Sequence, residues 1–303
     1  MTMTSNAAEN IAERADYVTA DLTYVAEGSF INRRFAAPGV EANTGKYEVH
    51  KVRIRNARPF RKELTLDRCG FQLFDHKSAV KNFYDNDEVG AIYPQEVVEA
   101  VKKWTGATNV AAGGWMVRNS GDLSKFDKPR AGYAHHGGVQ PPAAEAHVDY
   151  LPEVADRNAK TTYERHFPNG PGYKRFIAGS YWRAFSAPPQ DMPLAVCDGS
   201  SVRADEGIRN VLFVVDKIPS EAEMLGPMPD EASKPAAAIF RYNPNHRWWY
   251  FPDMTRDEVL FFKFHDSDRS VAWRTPHTAF RDPSVHTDHP RESVELRLIA
   301  FFE

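Results

Sequence analysis

The sequence predicts a mainly β fold, a sandwich or barrel of short strands with flanking helices. From residue 176 to the C-terminus, segments rich in β-branched and aromatic residues follow one another, with turn residues between them. Residues 46–55 alternate polar and apolar side chains, which is the period of a half-buried strand. Many short strands separated by turns are typical of sandwiches and barrels.

The N-terminal third is expected to form strands and one clear helix. Residues 1–14 are polar and unpatterned, which predicts a frayed tail. Strand-like pieces continue beyond residues 46–55 through residues 59–74. Residues 94–106 predict a helix, because a proline begins the segment, a glycine ends it, and apolar residues recur at helical spacing, namely Val97, Val98, Val101 and Trp104.

A loop-rich passage is expected between residues 107 and 145. Glycines and a proline pair punctuate it, namely Gly113, Gly114, Gly132, Gly137, Gly138, Pro141 and Pro142. The segment AEAHVDYLP, residues 144–152, ends this passage and begins a new unit. We therefore expect one domain overall, in which residues 15–131 pack on a β core formed by residues 132–303.

Charge, cysteine content and motifs exclude several classes of function. The formal net charge is −3 and the pI is near 6.4, so no basic field is available for nucleic acid. Two distant cysteines, Cys69 and Cys197, form neither a disulfide framework nor a zinc motif and are expected to be reduced and buried. No secretory signal, membrane-spanning run, nucleophile elbow or P-loop is present, so we expect a cytoplasmic protein without a membrane partner.

The motif His147-x-Asp149 is the first candidate for chemistry. In a strand, residues i and i+2 point to the same face, so this imidazole and carboxylate can approach one metal ion. On its own the motif is a weak signal, because this spacing occurs by chance in many chains and is more often a surface or core pair. His277 supplies a further imidazole on the C-terminal side. Two histidines and one carboxylate leave three adjacent positions free on Fe(II), the arrangement of non-haem oxygenases.

Arg291 and Ser293 form the second candidate constellation. They are two residues apart at the start of a predicted strand, so both side chains face the same side. The planar guanidinium and the hydroxyl suit the distal carboxylate of 2-oxoglutarate, whose keto acid end would chelate the metal. Arg297 lies on the same face and is the alternative anchor for this carboxylate.

These residues, in this order along the chain, resemble the signature of the Fe(II)/2-oxoglutarate-dependent dioxygenases. Longer stretches are similar to a branch of natural-product hydroxylases and desaturases that includes gibberellin-desaturase-like proteins, namely residues 181–202, 248–268, 272–283 and 290–302. The resemblance implies a double-stranded β-helix, or jelly-roll, core. It also implies that Fe(II), 2-oxoglutarate and O2 oxidise a small molecule of secondary metabolism, with succinate and CO2 as co-products.

Further residues are weaker candidates. Trp182 and Arg183 resemble a tryptophan–arginine pair of this branch, and Arg183 is a candidate for contact with the co-substrate, the alternative being a structural ion pair. Candidates for substrate contact are His135, His136, Trp182 and Trp248. The histidines that compete with His277 for the metal are His265, His286 and His289.

Two other functions stay open at this point. The fold also serves as a non-catalytic accessory protein that binds a small molecule or a partner enzyme, as in the partner protein of cephamycin 7α-methoxylation. A cupin-like metalloenzyme would use the metal without 2-oxoglutarate. The sequence does not choose between hydroxylation and desaturation, and a homodimer is a further possibility.

Overall fold

The computed structural model describes residues 16–38, 40–126, 138–287 and 289–303. Strands dominate these residues. They are β1 (Tyr17–Val25), β2 (Arg33–Ala37), β3 (Val40–Asn43), β4 (Tyr47–Asn56), β5 (Phe71–Asp75), β6 (Asn109–Asn119), β7 (Val139–Gln140), β8 (His147–Val148), β9 (Arg175–Ala184), β10 (Leu194–Cys197), β11 (Ile208–Val214), β12 (Ala236–Ile239), β13 (Trp248–Tyr250), β14 (Glu258–Asp266), β15 (His277–Ala279) and β16 (Glu292–Phe302).

The strands form two sheets. The large sheet has the order β1-β4-β13-β10-β15-β8-β12-β11-β2-β3, and the small sheet has the order β5-β14-β9-β16-β6-β7. Apolar side chains from both sheets meet in one buried cluster, for example Phe35 and Trp248 from the large sheet and Trp182 and Phe262 from the small one. This packing is the jelly-roll core that the sequence predicts. The N-terminal strands β1 to β4 belong to the large sheet.

The described residues form four α-helices, and the two long ones pack on the small sheet, one on each face. The four helices are α1 (Leu66–Cys69), α2 (Asn86–Thr105), α3 (Pro152–His166) and α4 (Glu221–Leu225). One face of α2 packs against Tyr181 and Leu296, in a cluster that lies behind the sandwich interior. Helix α3 packs against Ala178 and Ile299, which point to the other face of the sheet, the face that also carries Trp182. Strands β9 and β16 are therefore covered on both faces.

The predicted start of α2 is wrong by eight residues. The helix begins at Asn86, and Pro94 lies inside it. The Asp85 carboxylate caps the first turn by accepting hydrogen bonds from the backbone N–H groups of Asp87 and Glu88 at 3.0 and 3.1 Å. A cap of this kind satisfies two of the N–H groups that a helix start leaves free, so it sets the boundary more strongly than the proline does.

The passage expected to be loop-rich contains an 11-residue strand, β6. Its glycine at position 113 serves close strand packing, because a Cβ there would lie 2.8 Å from the Arg297 carbonyl oxygen. The β6–β16 register also shifts at this point, between Leu296 and Leu298. A glycine at such an irregularity lets two backbones approach, so here it marks a strand and not a loop.

Helix α3 has a weak sequence signal. Its buried stripe consists mostly of small residues, Val154, Ala155 and Ala159, followed by Tyr163. Proline at the first helical position and burial against the small sheet favour the helix despite that pattern. No helix in the described part of the chain combines the length and the apolar character needed to cross a bilayer.

Cys69 and Cys197 are buried free thiols, as the sequence predicts. Burial raises the pKa of both thiols to about 12. Thiolates are therefore absent at neutral pH, which removes these two residues as nucleophiles.

Candidate functional site

Three candidate metal ligands meet in the middle of the large sheet. Strand β8 lies between β15 and β12, and His147 pairs directly with His277. Asp149 follows His147 by two residues, and its Oδ1 atom lies 3.3 Å from His147 Nε2 and 3.5 Å from His277 Nε2. The ligand atoms of the three residues lie within 4.8 Å of one another. The structure thus brings together the three ligands that the sequence suggests.

Backbone carbonyls orient both histidine rings. His147 Nδ1 lies 2.8 Å from the Glu145 carbonyl oxygen, and His277 Nδ1 lies 3.1 Å from that of Thr275. A carbonyl oxygen only accepts, so Nδ1 carries a proton in each ring, and in the neutral ring the Nε2 lone pair is free for a metal ion. Such partners fix the tautomer that metal-binding histidines need.

Asp149 is a buried carboxylate whose two oxygens have different neighbours. Oδ1 faces the two histidines, whereas Oδ2 lies 2.7 Å from Nη2 of Arg297. Burial raises the pKa of Asp149, but the Arg297 charge and the histidine hydrogen bonds outweigh burial and hold this pKa well below its usual range. The carboxylate is therefore ionised at neutral pH.

The pKa values of the two histidines shift in opposite directions. Burial lowers the pKa of His147, but the interactions with Asp149 and Glu145 outweigh burial and raise it overall. For His277, burial and the nearby His147 charge prevail over Asp149, so its pKa is lowered. The neutral ring of His277 is the form that binds a metal ion.

A pocket beside the triad is lined by His147, His277 and a buried arginine, Arg291. Its apolar walls include Trp182 and Leu194. The Arg291 guanidinium carbon lies 5.6 Å from the centre of the Trp182 ring, within the range of a cation–π contact. The pocket therefore places a cation, an aromatic wall and the two histidines around one space.

Arg291 is a fully buried cation in this pocket. Its side-chain Nε has no hydrogen-bond partner, and no carboxylate in the four described ranges forms an ion pair with it. Burial and then the like charge of Arg118 lower the pKa of Arg291 to about 9. The hydroxyl of Ser293, two residues on, is also buried and has no hydrogen-bond partner among the described residues. A buried charge of this kind is costly until an anion binds it.

The backbone at Arg291 is held firmly in place. Its N–H lies 2.7 Å from Ser120 Oγ and 2.8 Å from Asp191 Oδ1. The Ser120 hydroxyl in turn donates to the same Asp191 oxygen at 2.8 Å. The start of β16 is thereby fixed against the end of β6 and the loop before β10. The Arg291 side chain thus projects from an anchored backbone.

Sequence reasoning missed Arg118 as a residue of the pocket and gave Glu295 no role there. Both residues line it, and Arg118 Nη2 lies 3.4 Å from Glu295 Oε1. Glu295 shares the alternating face of Ser293 and Arg297, so the strand pattern contained a signal for it. Arg118 carried no usable signal, because its segment reads as a loop.

The structure does not bring Arg183 to the pocket. Arg183 lies on the opposite face of β9 from Trp182, beneath α2. Its guanidinium contacts the Tyr93 hydroxyl at 3.1 Å, the Arg256 carbonyl oxygen at 2.9 Å and His76 Nδ1 at 3.0 Å. Adjacent residues in a strand alternate faces, so Trp182 and Arg183 cannot both face one cavity.

The other candidates are dispersed. Trp248 is buried in the core cluster and is absent from the pocket lining, so it is a packing residue. His265 stacks on Phe176 at 5.3 Å, away from the triad, and His286 is exposed. His289 is likewise exposed. His135 and His136 lie outside the described residues.

The donor set suits Fe(II). Two neutral imidazoles and one carboxylate on one side of an ion match the facial arrangement that leaves positions open for further ligands. The unpartnered Arg291 and Ser293 side chains lie on the strand that faces this donor set and suit a carboxylate ligand. The residues present thus fit both a metal ion and an anionic co-substrate.

A family model and curated proteins match the chain over most of its length. The model described as "Oxidoreductase/YMDC permease-like domain" matches residues 18–301. The hydroxylase/desaturase CTB9 of Cercospora beticola is 32% identical over 262 residues, which are 85% of this chain and 78% of that protein. The hydroxylase/desaturase efuI of Hormonema carpetanum is 30% identical over 282 residues, 92% of each chain.

The solved structures that resemble the chain have the same fold. The iron and alpha-ketoglutarate-dependent endoperoxidase NvfI superposes with a TM-score of 0.73 at 24% sequence identity, over 95% of this chain and 98% of that one. At this identity the agreement concerns the fold.

Proposed function

The chain belongs to the hydroxylase/desaturase family of Fe(II)/2-oxoglutarate-dependent dioxygenases, and on that premise we propose which of its residues form the catalytic site. His147, Asp149 and His277 hold Fe(II), and Arg291 with Ser293 binds the distal carboxylate of 2-oxoglutarate. The observation that carries this proposal is the buried, unpartnered Arg291 in the pocket that both histidines line.

Fe(II), 2-oxoglutarate and O2 together oxidise a C–H bond and release succinate and CO2. The protein's residues position these groups. The carbonyls of Glu145 and Thr275 aim the two histidine Nε2 atoms, and Arg291 fixes the far end of the co-substrate. The apolar walls formed by Trp182 and Leu194 exclude water, which strengthens the Arg291–carboxylate pair.

Arg291 is the better anchor than Arg297, although both lie on the predicted face of β16. Arg297 lies 2.7 Å from Asp149 Oδ2 and 3.7 Å from Glu295, so its charge already has carboxylate neighbours. Arg291 has none within ion-pair distance in the described ranges. An incoming carboxylate therefore gains more from Arg291.

The substrate is a small molecule of secondary metabolism, in keeping with the hydroxylase/desaturase names of the relatives. Hydroxylation and desaturation begin from the same C–H oxidation and differ in where the substrate lies relative to the metal. Cytoplasmic location and a homodimer, which the sequence suggested, stay predictions. Light scattering of the purified protein tests the dimer.

The test is an anaerobic titration of the metal-free protein with Fe(II) and then with 2-oxoglutarate. We expect the weak metal-to-ligand charge-transfer band in the visible after the second addition. Asp149→Ala is expected to bind no Fe(II) at concentrations that saturate the wild type, because one of three protein ligands is lost. Circular dichroism verifies that this variant is folded.

Each other result contradicts a particular part of the proposal. Bound iron without the band would favour a metalloenzyme that does not use 2-oxoglutarate. No iron binding in the wild type would favour an accessory protein. Full iron occupancy in folded Asp149→Ala would contradict the proposed triad.

A further inference from the structure

Arg297 contacts the proposed metal ligand Asp149 through the oxygen that the histidines do not face. Arg297 Nη2 lies 2.7 Å from Asp149 Oδ2, whereas Oδ1 lies 3.3 and 3.5 Å from the two histidine Nε2 atoms. The two oxygens of one carboxylate thus have separate partners. Only Oδ1 is oriented towards a metal ion held by the histidines.

Arg297 itself is held from two sides. It projects from β16, where its backbone pairs with Ser180 of β9, and Gly113 of β6 packs against its carbonyl oxygen. Its Nη2 also lies 3.7 Å from Glu295 Oε1. The side chain is largely buried, at 15% exposure. A guanidinium held in this way restricts the rotation of the carboxylate that it contacts.

We propose that Arg297 is a positioning residue that keeps Asp149 a ligand through Oδ1 alone. This inference rests on the proposed function, because it concerns the same metal site. A carboxylate that binds through both oxygens would use one further coordination position. By engaging Oδ2, Arg297 leaves that position open for the co-substrate and O2, and it keeps the buried carboxylate paired before the metal binds.

The same strand thus supplies two arginines with different tasks. Arg291 serves the co-substrate, and Arg297 serves the metal ligand. Arg291 directly precedes β16 and Arg297 lies within it, and their even separation places both side chains on the inner face of the small sheet. The two roles predict different effects of substitution. Loss of Arg291 should weaken 2-oxoglutarate binding, and loss of Arg297 should weaken metal binding.

The experiment is a titration of the metal-free protein with Co(II), followed by absorption spectroscopy, for the wild type, Arg297→Met, Arg297→Lys and Arg291→Met. Co(II) reports both affinity and coordination without turnover. We expect Arg297→Met to bind Co(II) about 10- to 100-fold more weakly with an altered visible spectrum, the range typical when a partner of a metal ligand is lost. Arg297→Lys, which keeps one cationic donor, is expected to lie between it and the wild type.

Arg291→Met is the crossed variant. It is expected to bind Co(II) like the wild type and to lose affinity for 2-oxoglutarate, which tests the proposed function separately. Arg183→Met is the matched control, because it removes another buried arginine of the small sheet that does not contact the triad. Wild-type Co(II) affinity is expected for the folded fraction of that control.

The inference is overturned if Arg297→Met binds Co(II) as tightly as the wild type or more tightly, with an unchanged spectrum. It is also overturned if Arg183→Met loses Co(II) affinity to the same extent, since the effect would then be one of folding. If Arg297→Met does not fold, Arg297→Gln, which keeps an uncharged donor, replaces it under the same criteria. Failure of Arg291→Met to affect 2-oxoglutarate binding would contradict the proposed function and not this inference.

Discussion

The two faces of the small sheet each carry a buried arginine, and the two arginines differ in their hydrogen-bond and ion-pair partners. On the outer face, Arg183 is fully buried beneath α2 and has a partner for each of its three nitrogens, from Tyr93, Arg256 and His76. On the inner face, Arg291 is 1% exposed and lacks an ion-pair partner in the described ranges. Burial alone therefore does not identify a functional cation. The absence of a protein partner is the more informative observation.

The largest expected effect is a loss of 2-oxoglutarate affinity. It is expected when Arg291 on the inner face is replaced, and not when Arg183 on the outer face is replaced. Arg291→Met is expected to weaken 2-oxoglutarate binding to the Fe(II)-loaded protein by about 2–5 kcal/mol, because a buried charge pair with hydrogen bonds is lost. The titration of the charge-transfer band measures this affinity. The variant is expected to be as stable as the wild type or more stable, since it removes an uncompensated charge.

Arg183→Met provides the contrast to Arg291→Met. It is expected to lower the free energy of unfolding by about 3 kcal/mol, because the carbonyl of Arg256 and the hydroxyl of Tyr93 lose a charged partner. Urea denaturation measures this change. Affinity for 2-oxoglutarate should stay at the wild-type value in the folded protein. A loss of affinity with unchanged stability would reverse the roles assigned to the two faces.

The sequence predicted the inner face better than the outer one. Period-two alternation placed Arg291, Ser293 and Arg297 on one side of β16, and the structure agrees. The role of each residue on that side depends on side chains from distant strands. Arg297 faces Asp149, which lies 148 residues earlier in the chain. No local pattern contains that information.

The outer face was mispredicted for a related reason. Trp182 and Arg183 are neighbours in the chain, so they face opposite sides of β9, and only the packing of α2 gives Arg183 its partners. The Asp85 cap sets the start of α2. Gly113 made the β6 segment look like a loop, although this glycine lets β6 approach the β16 backbone closely. Tertiary contacts decide these three features, and local propensity does not.

A third prediction uses a histidine that lies on the inner face of the small sheet, near α3. His265 stacks on Phe176, and burial followed by the Arg269 charge lowers its pKa to about 3. In the unfolded chain His265 binds a proton near pH 6.5, whereas in the folded protein it stays neutral until about pH 3. Its contribution to the free energy of unfolding is therefore fully present above pH 6.5 and is lost as the pH decreases towards 3. The expected slope is about 1.4 kcal/mol per pH unit below 6.

Denaturation at several pH values measures that slope, with His265→Phe as the comparison. The variant retains an aromatic ring for stacking and has no group to titrate. Between pH 6 and 4, the slope of its unfolding free energy against pH is expected to be smaller than that of the wild type by about 1.4 kcal/mol per pH unit, the contribution of one histidine. Identical slopes in both proteins would show that His265 is not protonated on unfolding in this range.

The smallest expected effect is that of Ser293, on the face of β16 that also carries Arg297. Ser293→Ala removes a buried hydroxyl that has no hydrogen-bond partner in the described structure. If this hydroxyl donates to the co-substrate carboxylate, the variant should bind 2-oxoglutarate about 3- to 10-fold more weakly, which corresponds to one hydrogen bond of about 0.5–1.5 kcal/mol. Its stability should not decrease, because the folded protein makes no use of the hydroxyl without the co-substrate. Unchanged affinity would leave Arg291 as the sole side-chain contact to that carboxylate and would show that an unpartnered polar group on this face does not always mark a ligand contact.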